Sequence, residues 1–224
     1  MGSATVHVLD HDNAAEAASV IARAFDDDPL NVAMFPDPGA RARLAPTLFE
    51  ALVRYDVLFG QVDYLPGLTA VASWQGPGAT PETPEQLAQA GFDDLPGGVP
   101  LKSFGAVFDA VTAAVGKMAP EPHWHLRLLA VDPDRQGEGL GTALLQHGLQ
   151  RAGASGQPVV LETFAPRTVP FYLRNGFEVI VDEVETSYNL RFWVLRHEPK
   201  SLPRAEVAAA PRGSEANKAE GQHF

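Results

Sequence analysis

The sequence predicts a domain of the α/β (α+β) class, because helix and strand patterns are mixed along the chain. Apolar residues recur at helical spacing in segments 13–25, 41–59, 101–115 and 142–151. Short apolar or alternating runs, typical of strands, lie at 5–9, 61–65, 68–74, 126–131, 159–163, 177–184 and 187–195. Pro66 and Gly67 between two of these runs indicate a hairpin.

Length and composition set the domain organisation. With 224 residues, 45% of them hydrophobic, the chain can bury the core of one domain, alone or followed by a tail. Beyond His197 the composition changes to Pro, Ala, Gly and charged residues. We therefore predict one domain over residues 1–198 and a disordered tail over 199–224.

Charge and composition exclude several classes of protein. The net charge of −11 disfavours nucleic acid as a partner and suits a cationic small molecule. No apolar run is long enough to span a membrane, and no signal peptide is visible. The chain has no cysteine, which is compatible with a cytoplasmic protein. The oligomeric state stays open between monomer and homodimer.

A glycine-rich turn joins the apolar strand that ends at Val131 to the helix of 142–151. Gly137, Gly139 and Gly141 leave no Cβ in the way, and a helix N-terminus favours an anion, so the turn predicts a pyrophosphate site. A Walker A loop would need a lysine before Thr142, which is absent. A dinucleotide fingerprint needs a different glycine spacing. A turn without any ligand is the remaining alternative.

Other candidate site residues have competing interpretations. Glu162 interrupts an apolar strand, so it is either a general base or a structural carboxylate. His123 and His125 lack the further ligands that a metal needs, so no metal site is predicted, and His125 is a candidate base at the substrate. Asp26, Asp27 and Asp28 predict a solvated loop, with attraction of a protonated amine by Asp28 as the alternative. The apolar stripe of Phe104, Val107, Phe108 and Val111 is interpreted as core.

Two motifs carry a family resemblance. Gln136-Gly-Glu-Gly-Leu-Gly141 resembles the Gln/Arg-x-x-Gly-x-Gly motif of the Gcn5-related N-acetyltransferase (GNAT) superfamily, and Phe171-Tyr-Leu-Arg-Asn-Gly-Phe177 resembles its Tyr-x-x-x-Gly-Phe motif. Residues 24–29, 131–141, 161–167 and 170–172 are also similar to the puromycin N-acetyltransferase group. Asp28 departs from that group, which has a tyrosine just before the proline.

The resemblance implies a GNAT fold, that is, a mixed and mostly antiparallel sheet, splayed at its centre, with helices on both faces. It implies acetyl-coenzyme A (acetyl-CoA) as co-substrate and a primary amine of a small molecule as acceptor. An aminonucleoside or other antibiotic would fit, with a role in resistance or self-protection. The alternatives are a protein N-terminus or lysine as acceptor, or a cofactor-binding module without catalysis.

The resemblance also implies roles for residues at matching positions. Backbone groups of Leu129, Ala130 and Val131 are expected to bind the pantetheine arm, with an N–H near Leu129 stabilising the oxyanion. Arg135 and the main chain of the turn are expected to hold the pyrophosphate: Gln136, Gly137, Gly139, Leu140, Gly141 and Thr142. Tyr172 is expected to protonate the leaving thiolate. Glu162 is the first candidate for the base, and His125 and Asp28 are the next candidates, both placed at the substrate.

Overall fold

The computed structural model describes residues 5–119 and 121–199. A seven-stranded sheet has the order β1-β2-β3-β4-β5-β7-β6, and every neighbouring pair is antiparallel except β4 and β5. The strands are β1 (His7–Val8), β2 (Gln61–Tyr64), β3 (Ala70–Gln75), β4 (Trp124–Val131), β5 (Val159–Thr163), β6 (Glu178–Glu185) and β7 (Leu190–His197). The predicted hairpin is β2–β3. The tail predicted for 199–224 lies outside the described residues, apart from residue 199.

Seven α-helices occur in the described part of the chain: α1 (Ala14–Ala24), α2 (Pro29–Met34), α3 (Pro38–Phe59), α4 (Pro84–Gln89), α5 (Leu101–Met118), α6 (Leu140–Ala154) and α7 (Val169–Arg174). The periodicity predicted α1, α3, α5 and α6, because long amphipathic segments carry the clearest signal. The short helices α2 and α4 were not predicted as helices. None of the described helices is long and apolar enough to cross a membrane.

The sheet separates two apolar cores, since successive strand side chains point to opposite faces. Val160 and Val194 belong to the core formed with α1, α3 and α5. Their neighbours Leu161 and Leu195 belong to the core formed with α6. Helices therefore cover both faces, as expected.

The sheet is splayed between β4 and β5. These two parallel strands pair only at Trp124 with Val159 and at His125 with Val160. Beyond His125, residues 126 and 128–131 of β4 pair with β3 on one side and with no described strand on the other. The predicted opening at the centre of the sheet is confirmed.

One prediction about local structure was wrong in part. Asp28 does not lie in a solvated loop, because its carboxylate accepts a hydrogen bond of 2.9 Å from the backbone N–H of Leu30 and caps α2. Asp26 and Asp27 are exposed, as predicted. The Asp28-Pro29 pair is a helix-start signal, with a capping residue followed by proline at the first helical position.

Candidate active site

The glycine turn ends in the N-terminus of α6. Gly137 and Gly139 have φ values of +85° and +80°, which residues with a Cβ rarely adopt. A Cβ on Gly141 would lie 3.2 Å from Cγ2 of Val131, so this glycine lets the helix approach β4 closely. Gly137 and Gly139 are thus required by backbone conformation and Gly141 by packing.

Backbone N–H groups are available at this turn. The first hydrogen bond of α6 runs from Ala143 N–H to the carbonyl of Gly139, so the N–H groups of Leu140, Gly141 and Thr142 have no acceptor within the helix. Residues 133–139 are exposed. Exposed N–H groups at the positive end of a helix suit the negative charge of a pyrophosphate.

Arg135 is not free to bind a phosphate as it stands. Its guanidinium forms two hydrogen bonds, of 2.8 and 2.7 Å, with the carboxylate of Glu138. This pair is nearly half exposed and raises the pKa of Arg135. A phosphate contact would require the guanidinium to leave Glu138. Gln136 points back to the strand, where Nε2 donates to the carbonyl of Val131 at 3.4 Å.

The second half of β4 has one free edge. Leu129, Ala130 and Val131 pair with Ala72, Val71 and Ala70 of β3, and their other edge faces the gap left by β5. An extended ligand with amide groups, such as a pantetheine arm, can add to such an edge as a further strand does.

A cavity of about 1330 Å³ lies behind this gap. Most of its lining residues that belong to an apolar core come from the core on the α1, α3 and α5 side, but Leu126, Leu129 and Tyr172, which line it too, belong to the core under α6. The cavity therefore reaches through the separation of β4 and β5.

Four predicted residues meet in this cavity, namely Asp28, His125, Glu162 and Tyr172. Nε2 of His125 lies 2.7 Å from Oε2 of Glu162. The Glu162 side chain is 6% exposed and that of His125 is 30% exposed, so the imidazole is the more accessible member of the pair. The two candidate bases thus form one hydrogen-bonded unit.

Tyr172 lies at the junction of the two cores. Its ring packs edge-on against Phe171 and Phe177, with centroids 5.1 and 5.6 Å away. Burial raises the pKa of the phenol well above its ordinary value of 10, and the charges of Glu162 and Asp28 raise it further. The phenol therefore stays protonated at neutral pH and can donate to a developing negative charge.

Asp28 is also strongly affected by its surroundings. Burial raises the pKa of its carboxyl, against the opposing effect of the backbone N–H groups of Leu30 and Asn31. The residue is 8% exposed. It contributes a second buried carboxyl near the phenol of Tyr172.

A buried charge cluster beside this group was missed by sequence reasoning. The pairing of β3 with β4 skips Arg127, which marks a β-bulge there. Nη1 of Arg127 lies 2.9 Å from Glu82 and 3.3 Å from Asp56, which is fully buried and whose pKa is raised by that burial. The one available sequence signal was an arginine in an apolar strand; its partners are 45 and 71 residues away in the chain.

A comparison with known families decides the class of this site. The acetyltransferase (GNAT) domain model matches residues 104–179, which contain the glycine turn, β4, β5 and Tyr172. Residues 104–179 of the chain are thus similar to a GNAT acetyltransferase domain. This assignment makes the protein an acyltransferase by class, consistent with acetyl-CoA as the acyl donor.

Similar proteins agree with this assignment over nearly the whole chain. An uncharacterised N-acetyltransferase of Schizosaccharomyces pombe is 22% identical over 210 residues, which cover 89% of this chain and 85% of that protein. A structure from Corynebacterium glutamicum described as histone acetyltransferase HPA2 and related acetyltransferase has a TM-score of 0.63 at 22% identity, covering 90% of this chain and 99% of that one. Polyamine N-acetyltransferase of Drosophila melanogaster has a TM-score of 0.60 at 16% identity, covering 87% and 99%. These structures show the GNAT fold.

Proposed function

We propose that this protein transfers an acetyl group from acetyl-CoA to a primary amine of a small molecule. The observation that carries the proposal is the cavity at the gap between β4 and β5, which brings Tyr172, Glu162, His125 and Asp28 together behind a free strand edge. The similarity to the polyamine enzyme of Drosophila melanogaster supports a small amine as acceptor.

The donor would be held by main-chain groups. The free N–H groups at the start of α6 would bind the pyrophosphate, and the open edge at Leu129–Val131 would bind the pantetheine arm. Acetyl-CoA supplies the acetyl thioester. A strand N–H near Leu129 would stabilise the negative charge that develops on the acetyl oxygen.

The His125–Glu162 pair would remove the proton that keeps the amine from reacting. An amine is mostly protonated at neutral pH, and only the free base attacks a thioester. His125 is the accessible member and would take the proton, directly or through water. Glu162 would orient the imidazole and balance the positive charge formed on it. This refines the sequence-based hypothesis, in which Glu162 alone was the first candidate.

The phenol of Tyr172 would assist the leaving group. As the amine nitrogen bonds to the acetyl carbon, the carbon–sulfur bond breaks and its electrons pass to sulfur. A protonated phenol beside that sulfur would stabilise the thiolate by donating a hydrogen bond, and the second proton that the nitrogen loses as the amide forms would protonate the thiolate. The products are the N-acetyl amine and free coenzyme A.

The finer parts of this hypothesis rest on the sequence resemblance. An aminonucleoside or related antibiotic is the acceptor that it suggests, resistance or self-protection is the corresponding role, and a cytoplasmic location stays a prediction. The departure at Asp28 leads us to expect that puromycin itself is a poor acceptor.

A thiol-release assay with acetyl-CoA tests the proposal. The panel contains puromycin, small amines and peptides with a free N-terminus or lysine. We expect release with small amines and a loss of about 100-fold or more in kcat for Glu162→Gln and His125→Asn. The exposed Glu178→Gln variant is the control and should keep full activity. Release with peptides alone would refute a small-molecule acceptor, and no release with any amine would refute catalysis.

A further inference from the structure

The carboxylates that line the cavity fall into two groups. Asp28 and Glu162 are buried and lie near the phenol of Tyr172, whose pKa they raise. The remaining acidic residues on the described walls are more accessible: Glu82, Asp93, Asp109 and Glu121. The cavity therefore has one buried acidic end and an accessible acidic rim.

The wall contributed by α5 is mainly apolar and aromatic, with Asp109 and Thr112 as its polar side chains among the described lining residues. Cavity-lining residues recur every three or four positions along this helix: Leu101, Phe104, Phe108, Val111 and Val115. Phe104 and Phe108 are half-buried, and their ring centroids are 4.6 Å apart. Val107 and Val111 are buried, so part of the predicted core stripe does pack into the core. Phe104 and Phe108 pack against the same core and also line the cavity.

The facing wall is apolar as well. It consists of side chains of α2 and α3 that are buried in the fold yet border the cavity: Leu30, Met34, Leu48, Phe49 and Leu52. The volume of about 1330 Å³ exceeds the roughly 300–1,000 Å³ that most small-molecule sites enclose. Apolar walls of this kind favour a ligand with apolar surface.

We propose that the acceptor is a primary monoamine with an aromatic or long alkyl body. The body lies against Phe104 and Phe108, and the amine lies at the buried end beside Glu162 and Asp28. This inference rests on the proposed function, since the buried end is the reactive end. It names the class of acceptor, which the catalytic residues alone leave undefined.

The cost of desolvating a second positive charge distinguishes this class of acceptor from polyamines. A second ammonium group held among the phenylalanine and leucine side chains of α5 and α3 would lose its hydration, because the buried carboxylates Asp28 and Glu162 lie at the other end beside the first amine and Asp109 of α5 is exposed. An aromatic ring at the same place gains about 25 cal/mol for each Å² removed from water. At the rim, Glu82 and Glu121 are paired with Arg127 and Arg196, which weakens the attraction that the rim offers to the additional charges of a polyamine.

Acceptor series and wall variants test the proposal. The amines are 4-phenylbutylamine and octylamine against ethylamine, putrescine and spermidine, each assayed by thiol release. We expect kcat/KM for 4-phenylbutylamine to exceed that for ethylamine and for both polyamines by about 100-fold or more, which corresponds to about 2.7 kcal/mol.

Substitutions on α5 test whether its two phenylalanines cause the preference for amines with an apolar body. Phe104→Ala and Phe108→Ala should raise KM for 4-phenylbutylamine about tenfold or more and leave ethylamine kinetics nearly unchanged. Phe108→Leu keeps apolar volume and guards against a folding defect, and should give a smaller increase. Phe59→Ala is the matched control, because this half-buried ring packs on Tyr55 outside the cavity.

Each outcome bears on one hypothesis. A preference for putrescine or spermidine, or an equal loss for all amines in Phe108→Ala, would overturn the assignment of the wall. Thermal stabilisation by 4-phenylbutylamine that is lost in Phe108→Ala, without thiol release, would support the site and overturn acetyl transfer.

Discussion

Replacing Tyr172 with phenylalanine removes one oxygen atom and keeps the ring. The edge-on contacts with Phe171 and Phe177 involve the ring alone and remain. The phenol oxygen forms no hydrogen bond with residues 5–119 or 121–199. Removing a polar atom without a partner should change the free energy of unfolding by less than about 1 kcal/mol, or increase it.

The effect on turnover follows from the proton affinity of the two groups. A thiol has a pKa of about 8.5, whereas that of the buried phenol lies above 10, so complete proton transfer to the thiolate is unfavourable by about 2 kcal/mol or more. The phenol then acts mainly as a hydrogen-bond donor to sulfur. Such a bond to a charged group contributes about 1.5–3 kcal/mol, which corresponds to a decrease of about 10- to 150-fold in kcat for Tyr172→Phe.

Thiol release at saturating amine measures this decrease, and thermal melting with and without acetyl-CoA measures stability and donor binding. We expect a lower kcat, an unchanged melting temperature and an unchanged stabilisation by acetyl-CoA. An unchanged kcat would remove Tyr172 from the reaction. A parallel loss of stability would instead assign the residue to packing, and the chemical argument would be refuted.

Three further predictions concern packing, charge and donor binding. Gly148→Ala should destabilise the fold by about 1–3 kcal/mol in a denaturant melt, since its Cβ would lie 2.0 Å from Cζ2 of Trp74. Gly153→Ala in the same helix is the control, because its Cβ would meet no atom within 4 Å, and it should be neutral or stabilising. Asp28→Asn keeps the cap of α2 but should raise KM for a cationic acceptor. Because burial raises the pKa of Asp28, the folded wild-type protein binds a proton on this carboxyl more tightly than the unfolded chain does. The resulting contribution to the free energy of unfolding is present below the ordinary pKa of 3.8 and is lost as the pH rises through the raised pKa. In thermal melts between pH 4 and pH 7, the stability of Asp28→Asn relative to the wild type should therefore increase with pH. A stability difference that stays constant with pH would contradict the direction of the pKa shift. Gly141→Ala should raise KM for acetyl-CoA about fivefold or more and change kcat less, because the added Cβ would press on Val131 and shift the start of α6 away from β4. An unchanged KM would contradict a role of this turn in holding the donor.

Local patterns were sufficient for much of the fold. The hairpin of β2 and β3, the long helices and the glycine turn each depend on residues close together in sequence. The helix α4 was missed although Thr83 and Gln86 form a capping box there. The residues before it are rich in proline and glycine, which is typical of a loop, and a six-residue helix carries too few turns for a periodic signal.

The apolar stripe on α5 packs against the core as predicted, and it also lines the cavity, which periodicity does not reveal. Spacing showed that Phe104 and Phe108 lie on the apolar face of a helix, and this was interpreted as core. Periodicity reports which face is apolar, but it does not report whether the space opposite that face is filled. Only the arrangement of α2, α3 and the sheet left the cavity against these rings.

The sequence by itself determined the glycine turn that we propose holds the donor, because a glycine turn between a strand and a helix is built from about ten consecutive residues whose backbone requirements are local. The tertiary structure decided the acceptor side. His125 and Glu162 are 37 residues apart and meet because β4 and β5 pair in parallel at one end and then diverge. Asp28 joins them from α2, more than 90 residues earlier in the chain. Such contacts depend on strand order and register, which are fixed by the packing of the whole sheet and not by neighbouring residues.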